Sequence, residues 1–245
     1  MYDEAYASVY DTIFPPDAAV VHGVVQTLTA FAAAPGAAIL EYGAGTGRIA
    51  IPMSDSFAVT AVEPSPHMRD RLVQKRSRTG GPTVVAGDML TRLEIGPQAL
   101  VYCVLGTFAC ITDHDEQERA LQKMSAHVEP GGRLVVESFN PRALADHLGS
   151  EPIKIAQALD EDGTLLNSTY RRGEDGKLVA EHSWTAPGKP DVYFSEEVLP
   201  VSAEQVAQWA GNAGLELEHC WGDWDRTPHD AIRDGLYVLV LRRPE

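Results

Sequence analysis

A chain of 245 residues that is 44% hydrophobic can bury one good core, and a single α/β domain with an insertion fits that length better than two domains. Its 35 Asp and Glu against 20 Lys and Arg give a formal charge of −15, a field that repels a phosphate backbone and argues against nucleic acid as a partner. Cys103, Cys110 and Cys220 form no CxxC pair or zinc-type spacing with the eight histidines, and the chain shows neither a secretory leader nor a membrane-length apolar run, so a soluble cytoplasmic protein with reduced thiols, off the membrane, is expected.

Tyr2, Tyr6 and Tyr10 recur every fourth position before Asp11 and Phe14, which predicts one face of an amino-terminal helix within a helical cap over residues 1–34. The stripe reads equally as core packing or as a ligand contact. Strands are predicted over 38–42, 58–63, 83–86, 100–105 and 133–139, with helices over 48–54, 67–76 and 115–127. This alternation builds a parallel sheet with helices on both faces. The basic cluster from Arg69 to Arg78 has helical spacing and reads as a solvated helix face. Glu129-Pro130-Gly131-Gly132 reads as a turn that stops a helix and starts the fifth strand.

The alternation breaks between Pro141 and Pro200. There, β-rich segments 164–172 and 177–185 flank Gly173-Glu174-Asp175-Gly176, whose Asp-Gly pair favours a hairpin turn, and a strand over 191–199 completes a small antiparallel layer. An insertion over 141–200 projects from the carboxyl edge of the sheet, where ligands bind in open α/β folds, and is expected to be a substrate cap. A plain hairpin or a dimer contact is the alternative. A helix over 203–213 and strands over 215–220 and 235–241 close the chain.

Three elements mark the carboxyl edge of the sheet. The first is the run Ile39-Leu40-Glu41-Tyr42-Gly43-Ala44-Gly45-Thr46-Gly47-Arg48, where an apolar strand and an acid lead into three alternate glycines. Glycine there lets the backbone itself lie against a ligand, which points to a nucleoside-bearing cofactor. A dinucleotide fingerprint, G-x-G-x-x-G, would need glycine where Arg48 stands. The second is Glu63, which ends strand two before Pro64 and can accept two hydrogen bonds from a ribose diol. The third comprises Gly87-Asp88-Met89 after strand three and Leu105-Gly106-Thr107-Phe108 after strand four. Alone, Asp88 reads as a turn residue.

The acid-x-Gly-x-Gly-x-Gly run resembles motif I of the class I S-adenosylmethionine (SAM)-dependent methyltransferases, and with the closing segment Trp221 to Val240 the likeness spans nearly the whole chain. It implies a Rossmann-like α/β fold, a seven-stranded sheet with its last strand antiparallel, and SAM as cofactor. It further implies that Glu41 meets the methionine amino group, that Gly43, Gly45 and Gly47 admit the methionine part, and that Glu63, followed by Pro64, takes the ribose. Asp88 would then meet the adenine amine, Met89 flank the ring, and Leu105 and Gly106 lie nearest the sulfonium and acceptor. A tyrosine-bearing leading helix over the cofactor is a feature of similar small-molecule enzymes, including amino-sugar N-methyltransferases, and would bring Tyr6 and Tyr10 to cofactor or substrate. The DPPY-type tetrad of nucleic-acid amino methylases is absent.

The expected activity is metal-independent transfer of a methyl group to an N or O atom of a small molecule or short peptide in secondary metabolism. No metal is expected, because Gly106-Thr107-Phe108 offers no carboxylate and Asp113 and Asp115 read as helix capping. In-line displacement depends chiefly on alignment in a water-poor pocket. An amine attacks unaided, whereas a hydroxyl must lose a proton. His182, Glu137 and His114 are the candidate bases, each equally readable as structural, and Tyr10 joins the catalytic set. Trp184, Tyr193, Trp221 and Trp224 line either a pocket or the core. The negative field suits a cationic amine acceptor. Monomer and homodimer are both open, as are two other functions, an NAD(P)-dependent oxidoreductase and a SAM-binding protein without catalysis.

Overall fold

In the computed structural model, which describes residues 2–32, 34–76, 80–149 and 151–245, the strands β1 (Ala38–Tyr42), β2 (Ala58–Glu63), β3 (Thr83–Ala86), β4 (Gln98–Cys103) and β5 (Val128–Phe139) lie parallel. Arg78, the end of the expected basic cluster, lies outside the described residues, as do Met1 and Ala33 of the expected helical cap and Ser150 of the expected insertion.

Two late strands, β10 (Glu216–Trp221) and β11 (Leu236–Arg242), complete a seven-stranded sheet ordered β10-β11-β5-β4-β1-β2-β3, in which β11 runs antiparallel to both neighbours. Every residue of β4 is buried, as a strand covered on both faces requires. Alternate side chains serve opposite layers. Leu40, Val101 and Val136 pack with Leu121 and Met124 of α5 (His114–Ala126) and Val206 of α7 (Ala203–Asn212). Ile39, Leu100 and Val135 share a cluster with Val24 and Leu28 of α2 (Ala19–Phe31), Met53 of α3 (Ala50–Met53) and Leu72 of α4 (Pro66–Lys75). Three of them start where their sequences cap them, Ser65 ahead of Pro66 for α4, Asp113 for α5 and Ser202 for α7.

The expected turn at 129–132 is a kink inside β5. Gly131 has φ +77, and a Cβ on Gly132 would sit 2.9 Å from the Glu129 carbonyl oxygen, so the two glycines let the strand shift register against β4 and continue.

Four antiparallel strands form a second sheet ordered β6-β7-β8-β9: β6 (Ile153–Ala158), β7 (Leu165–Arg172), β8 (Leu178–Thr185) and β9 (Val192–Val198). Three were expected. The fourth, β6, is an edge strand exposed along nearly all its length, so no buried apolar face announces it. A short helix, α6 (Pro141–His147), capped by Asn140, also precedes it.

The amino-terminal helix α1 (Glu4–Ile13) joins the parts. Asp3 caps it, so Tyr2 stands just outside the helix, with its ring still 4.9 Å from that of Tyr6. Tyr6, Ala7, Val9 and Ile13 pack in one cluster with Met68 of α4 and Leu166 and Trp184 of the second sheet. Asp11 then binds the glycine-rich turn and α4 together, accepting from Thr46 Oγ1 at 2.6 Å and pairing with Lys75 Nζ at 2.8 Å. Asp11→Ala should destabilise the protein by about 1–2 kcal/mol, mainly through the Thr46 bond, since a partly exposed ion pair adds little. A shift of the urea midpoint in equilibrium unfolding measures it, and an unchanged midpoint would show that α1 docks without this contact.

Candidate functional site

The turn after β1 is built from backbone that side chains would spoil. Gly43, Gly45 and Gly47 have φ of +74, +54 and +88. A Cβ on Gly43 would collide with the Thr107 methyl at 2.1 Å, whereas one on Gly45 would meet nothing within 4 Å. Gly43 therefore fits the turn against the segment after β4, and Gly45 leaves open space beside bare backbone.

Three buried carboxylates surround this turn. Glu63, 3% exposed, accepts from Gly45 N through Oε2 and from Ser65 N through Oε1, both at 2.8 Å. Burial raises its pKa and those two bonds restrain the rise. Arg69 fixes the following Pro64 by donating to the Glu63 and Pro64 carbonyls, each at 2.8 Å. Glu41 accepts from the Tyr102 hydroxyl at 3.3 Å, and burial pushes its carboxyl up to about 8. Glu137 Oε2 accepts from Leu105 N at 2.8 Å and Trp224 Nε1 at 3.0 Å; burial raises its pKa while these donors oppose the shift. Among the described residues, none of the three has a cation within 4 Å.

The bond from Leu105 to Glu137 holds an unusual backbone. Leu105 has φ +58 and Gly106 φ +77, and a Cβ at Gly106 would sit 2.8 Å from the Phe139 ring. A leucine in the left-handed region persists only where its surroundings determine it. Asp88 lies exposed at the end of β3, where Oδ1 accepts from Leu90 N and Thr91 Oγ1, both at 2.9 Å. Met89 is buried, with its sulfur 3.5 Å from that of Cys103.

Tyr6, Tyr10 and His182 gather on another side. The Tyr6 ring stacks on Phe194 at 3.9 Å, and His182 stacks on the same phenylalanine at 4.6 Å. His182 Nδ1 is 2.8 Å from Ser168 Oγ, and burial lowers its pKa below the usual imidazole value. Burial raises the Tyr10 hydroxyl to about 12, against the opposing pull of Arg48 beside it. His114 stays apart on α5, where its Nδ1 meets Gln117 Oε1 at 2.8 Å. Tyr193 is exposed, whereas Trp184 and Trp221 are buried in the apolar clusters.

Arg48 is the residue that sequence reasoning undervalued, taking it only as evidence against a dinucleotide fingerprint. Its guanidinium carbon lies 5.6 Å from the Phe14 ring, the residue is 9% exposed, and its Nε is buried without a hydrogen-bond partner. A cation directly after the third glycine, two residues before α3, was the available signal. An orphaned guanidinium nitrogen, buried carboxylates without cations and open space at Gly45 together suit a ligand that carries an ammonium, a carboxylate and hydroxyls. The amino-acid and ribose parts of SAM supply those groups.

The family model described as a methyltransferase domain matches residues 19–220. No curated protein matches the chain. Among solved structures it is similar to the CcbJ methyltransferase from Streptomyces caelestis, with 26% identity, a TM-score of 0.83 and full coverage of both chains. It shares its fold with SAM-bound CalS10 from Micromonospora echinaspora, an amino pentose methyltransferase involved in calicheamicin biosynthesis, at 20% identity and TM-score 0.74, covering 99% of this chain and 98% of that one. The sugar N-methyltransferase KedS8 from Streptoalloteichus also shares it, at 22% identity and TM-score 0.71, covering 100% and 96%.

The raised Glu41 carboxyl makes the ligand-free fold sensitive to pH. With a folded pKa of about 8 against an ordinary 4.5, this group favours folding while it holds its proton, so its contribution is complete below about pH 4.5 and is lost as pH rises through about 8. Glu41→Gln should therefore melt above wild type at pH 8.5, with the gap closing toward pH 5. Thermal melts of the ligand-free protein across that range measure this, and parallel pH profiles for the two proteins would refute it.

Proposed function

Because the chain belongs to the methyltransferase domain family and uses SAM as its cofactor, we propose that it methylates an amine nitrogen of a small molecule in natural-product biosynthesis, without a metal. The observation that carries the choice of nitrogen is the state of Glu137. Its Oε2 is held by Leu105 N and Trp224 Nε1, an arrangement suited to fixing the segment after β4 rather than removing a proton. An amine that has already given its proton to solvent needs no base from the protein.

When bound, the cofactor supplies an electrophilic methyl group on a sulfonium. Glu41 would face the amino group at its amino-acid end and Arg48 the carboxylate. Glu63 would accept the ribose hydroxyls, since each of its oxygens has a lone pair left beyond the bonds from Gly45 and Ser65. Asp88 would accept from the adenine amine and Met89 flank the ring. Leu105, Gly106, Tyr6 and Tyr10 would shape the space next to the reacting centre, with the helical segment 1–34 and the insertion 141–200 closing over it. Water exclusion and alignment would then provide most of the rate enhancement.

O-methylation is the second reading, favoured by one observation. Burial keeps the half-buried His182 imidazole neutral near pH 7, a form able to take a hydroxyl proton. Replacing His182 with Gln would then abolish transfer, whereas an amine acceptor would tolerate it.

Calorimetry with SAM, S-adenosylhomocysteine and NAD tests the reading directly: the first two should bind, and NAD binding in their place would overturn it. Glu63→Ala should weaken SAM by about 1.5–3 kcal/mol, the usual size for a charged hydrogen bond. Arg48→Met should weaken SAM comparably yet leave 5′-methylthioadenosine, which lacks the amino-acid end, unaffected. Equal losses for both ligands would remove Arg48 from the carboxylate.

A further inference from the structure

Strand β9 contains a charge where its pattern calls for an apolar residue. Val192, Phe194, Glu196 and Val198 turn to the better-buried face, and Tyr193, Ser195 and Glu197 to solvent. Cross-strand neighbours on the inner face include Trp184, His182 and Ala180. Glu196 thus stands among apolar and aromatic side chains. Its outward neighbour Glu197 pairs with Lys177 Nζ at 2.9 Å, but among the described residues Glu196 itself has no cation within 4 Å.

The group opposite Glu196 is the tyrosine stripe of α1. The Tyr6 hydroxyl donates to Glu196 Oε1 at 2.8 Å. Ring centroids of Tyr2 and Tyr10 lie 4.9 and 5.5 Å from that of Tyr6, and Phe194 stacks behind Tyr6. The Glu196 charge also reaches Tyr2, Tyr10 and His182. Ser65 Oγ donates to the Tyr2 carbonyl at 2.8 Å, and Ser65 N donates to Glu63, so this cluster adjoins the carboxylate assigned to the ribose.

We propose that Glu196, held by the hydroxyl of the buried Tyr6, and the partly exposed rings of Tyr2 and Tyr10 form a cage that binds the ammonium form of the acceptor. The proposal rests on the methyl-transfer reading and names the chemical class of its acceptor, a molecule with a basic amine. A half-buried carboxylate that has one hydroxyl donor and no cation is electrostatically incomplete, and an alkylammonium completes it. Aromatic faces add cation–π attraction for the same charge. A tyrosine hydroxyl on one oxygen leaves the other oxygen and several lone pairs for the ligand's N–H groups. The acceptor would be recognised as a cation and would react after passing its proton to solvent, since only the neutral amine has a lone pair to attack with.

Nuclear magnetic resonance titration of tyrosine ring signals tests the cage, with trimethylammonium as probe and tert-butanol as its neutral counterpart of similar size. Both are titrated at pH 7.5 into the full chain, alone and with S-adenosylhomocysteine. Trimethylammonium should shift the Tyr2, Tyr6 and Tyr10 signals saturably and tert-butanol should not. Glu196→Gln, which keeps an acceptor for the Tyr6 hydroxyl, should weaken the ammonium at least fivefold, and Glu196→Asp should retain the preference for the cation. No saturable response in wild type, equal binding of the two probes, or wild-type ammonium affinity in Glu196→Gln would each overturn the proposal. Failure of S-adenosylhomocysteine to bind would instead overturn the methyl-transfer reading, because the cage is read independently in the ligand-free series.

Discussion

The Glu63 carboxylate, buried and with no cation within 4 Å among the described residues, bridges two backbone N–H groups 20 residues apart in sequence, one from Gly45 and one from Ser65. Taking an ionised group out of water is unfavourable, and charge-assisted bonds to backbone donors are among the few contacts strong enough to offset it. The bridge ties the turn after β1 to the start of α4, whose first residues Ser65 caps through its hydroxyl. With the turn fixed, Thr46 can reach Asp11, Gly43 can lie against Thr107, and Arg48 is held buried in the turn that leads into α3. In the proposed function the same carboxylate that organises the protein backbone takes the ribose, so structure and binding would draw on one side chain.

A second layer of organisation comes from α1. It is the first element of the chain, yet it contacts the glycine turn through Asp11, α4 through Met68 and Lys75, and the second sheet through Tyr6 and Trp184. Its apolar stripe is core and its polar edges are the links. The tyrosine pattern was open to two readings, packing or ligand contact, and the arrangement shows the packing directly. Tyr6, which stacks on Phe194, also reaches Glu196 through its hydroxyl, with Tyr2 and Tyr10 beside its ring.

What could be read from sequence followed the strength of the local signal. The core strands fell within about two residues of their expected bounds, except that β5 begins five residues earlier at Val128, because long apolar runs have one stable destination, the centre of a sheet. The reversal of β11 came from resemblance, not from the residues themselves. β6 escaped because its side chains are largely exposed, and α6 because seven residues between Asn140 and Leu148 carry little periodicity. The glycine turn, Glu41 and Glu63 were legible because their spacing is local. Glu196 was not, since its partner Tyr6 is 190 positions away, and the Thr46 bond to Asp11 spans 35. Periodicity says which way a side chain points, but contacts between distant segments depend on how the layers stack.

The link between Tyr6 and Glu196 joins the start of the chain to its inserted sheet. A β6–β9 module transplanted from a relative would therefore meet a foreign first helix. Helix α1 and the β6–β9 sheet are thus tied together, and recombination that separates them breaks a hydrogen bond as well as an aromatic stack. Diversification within such a lineage is expected to proceed by coordinated replacement at both ends of that pair.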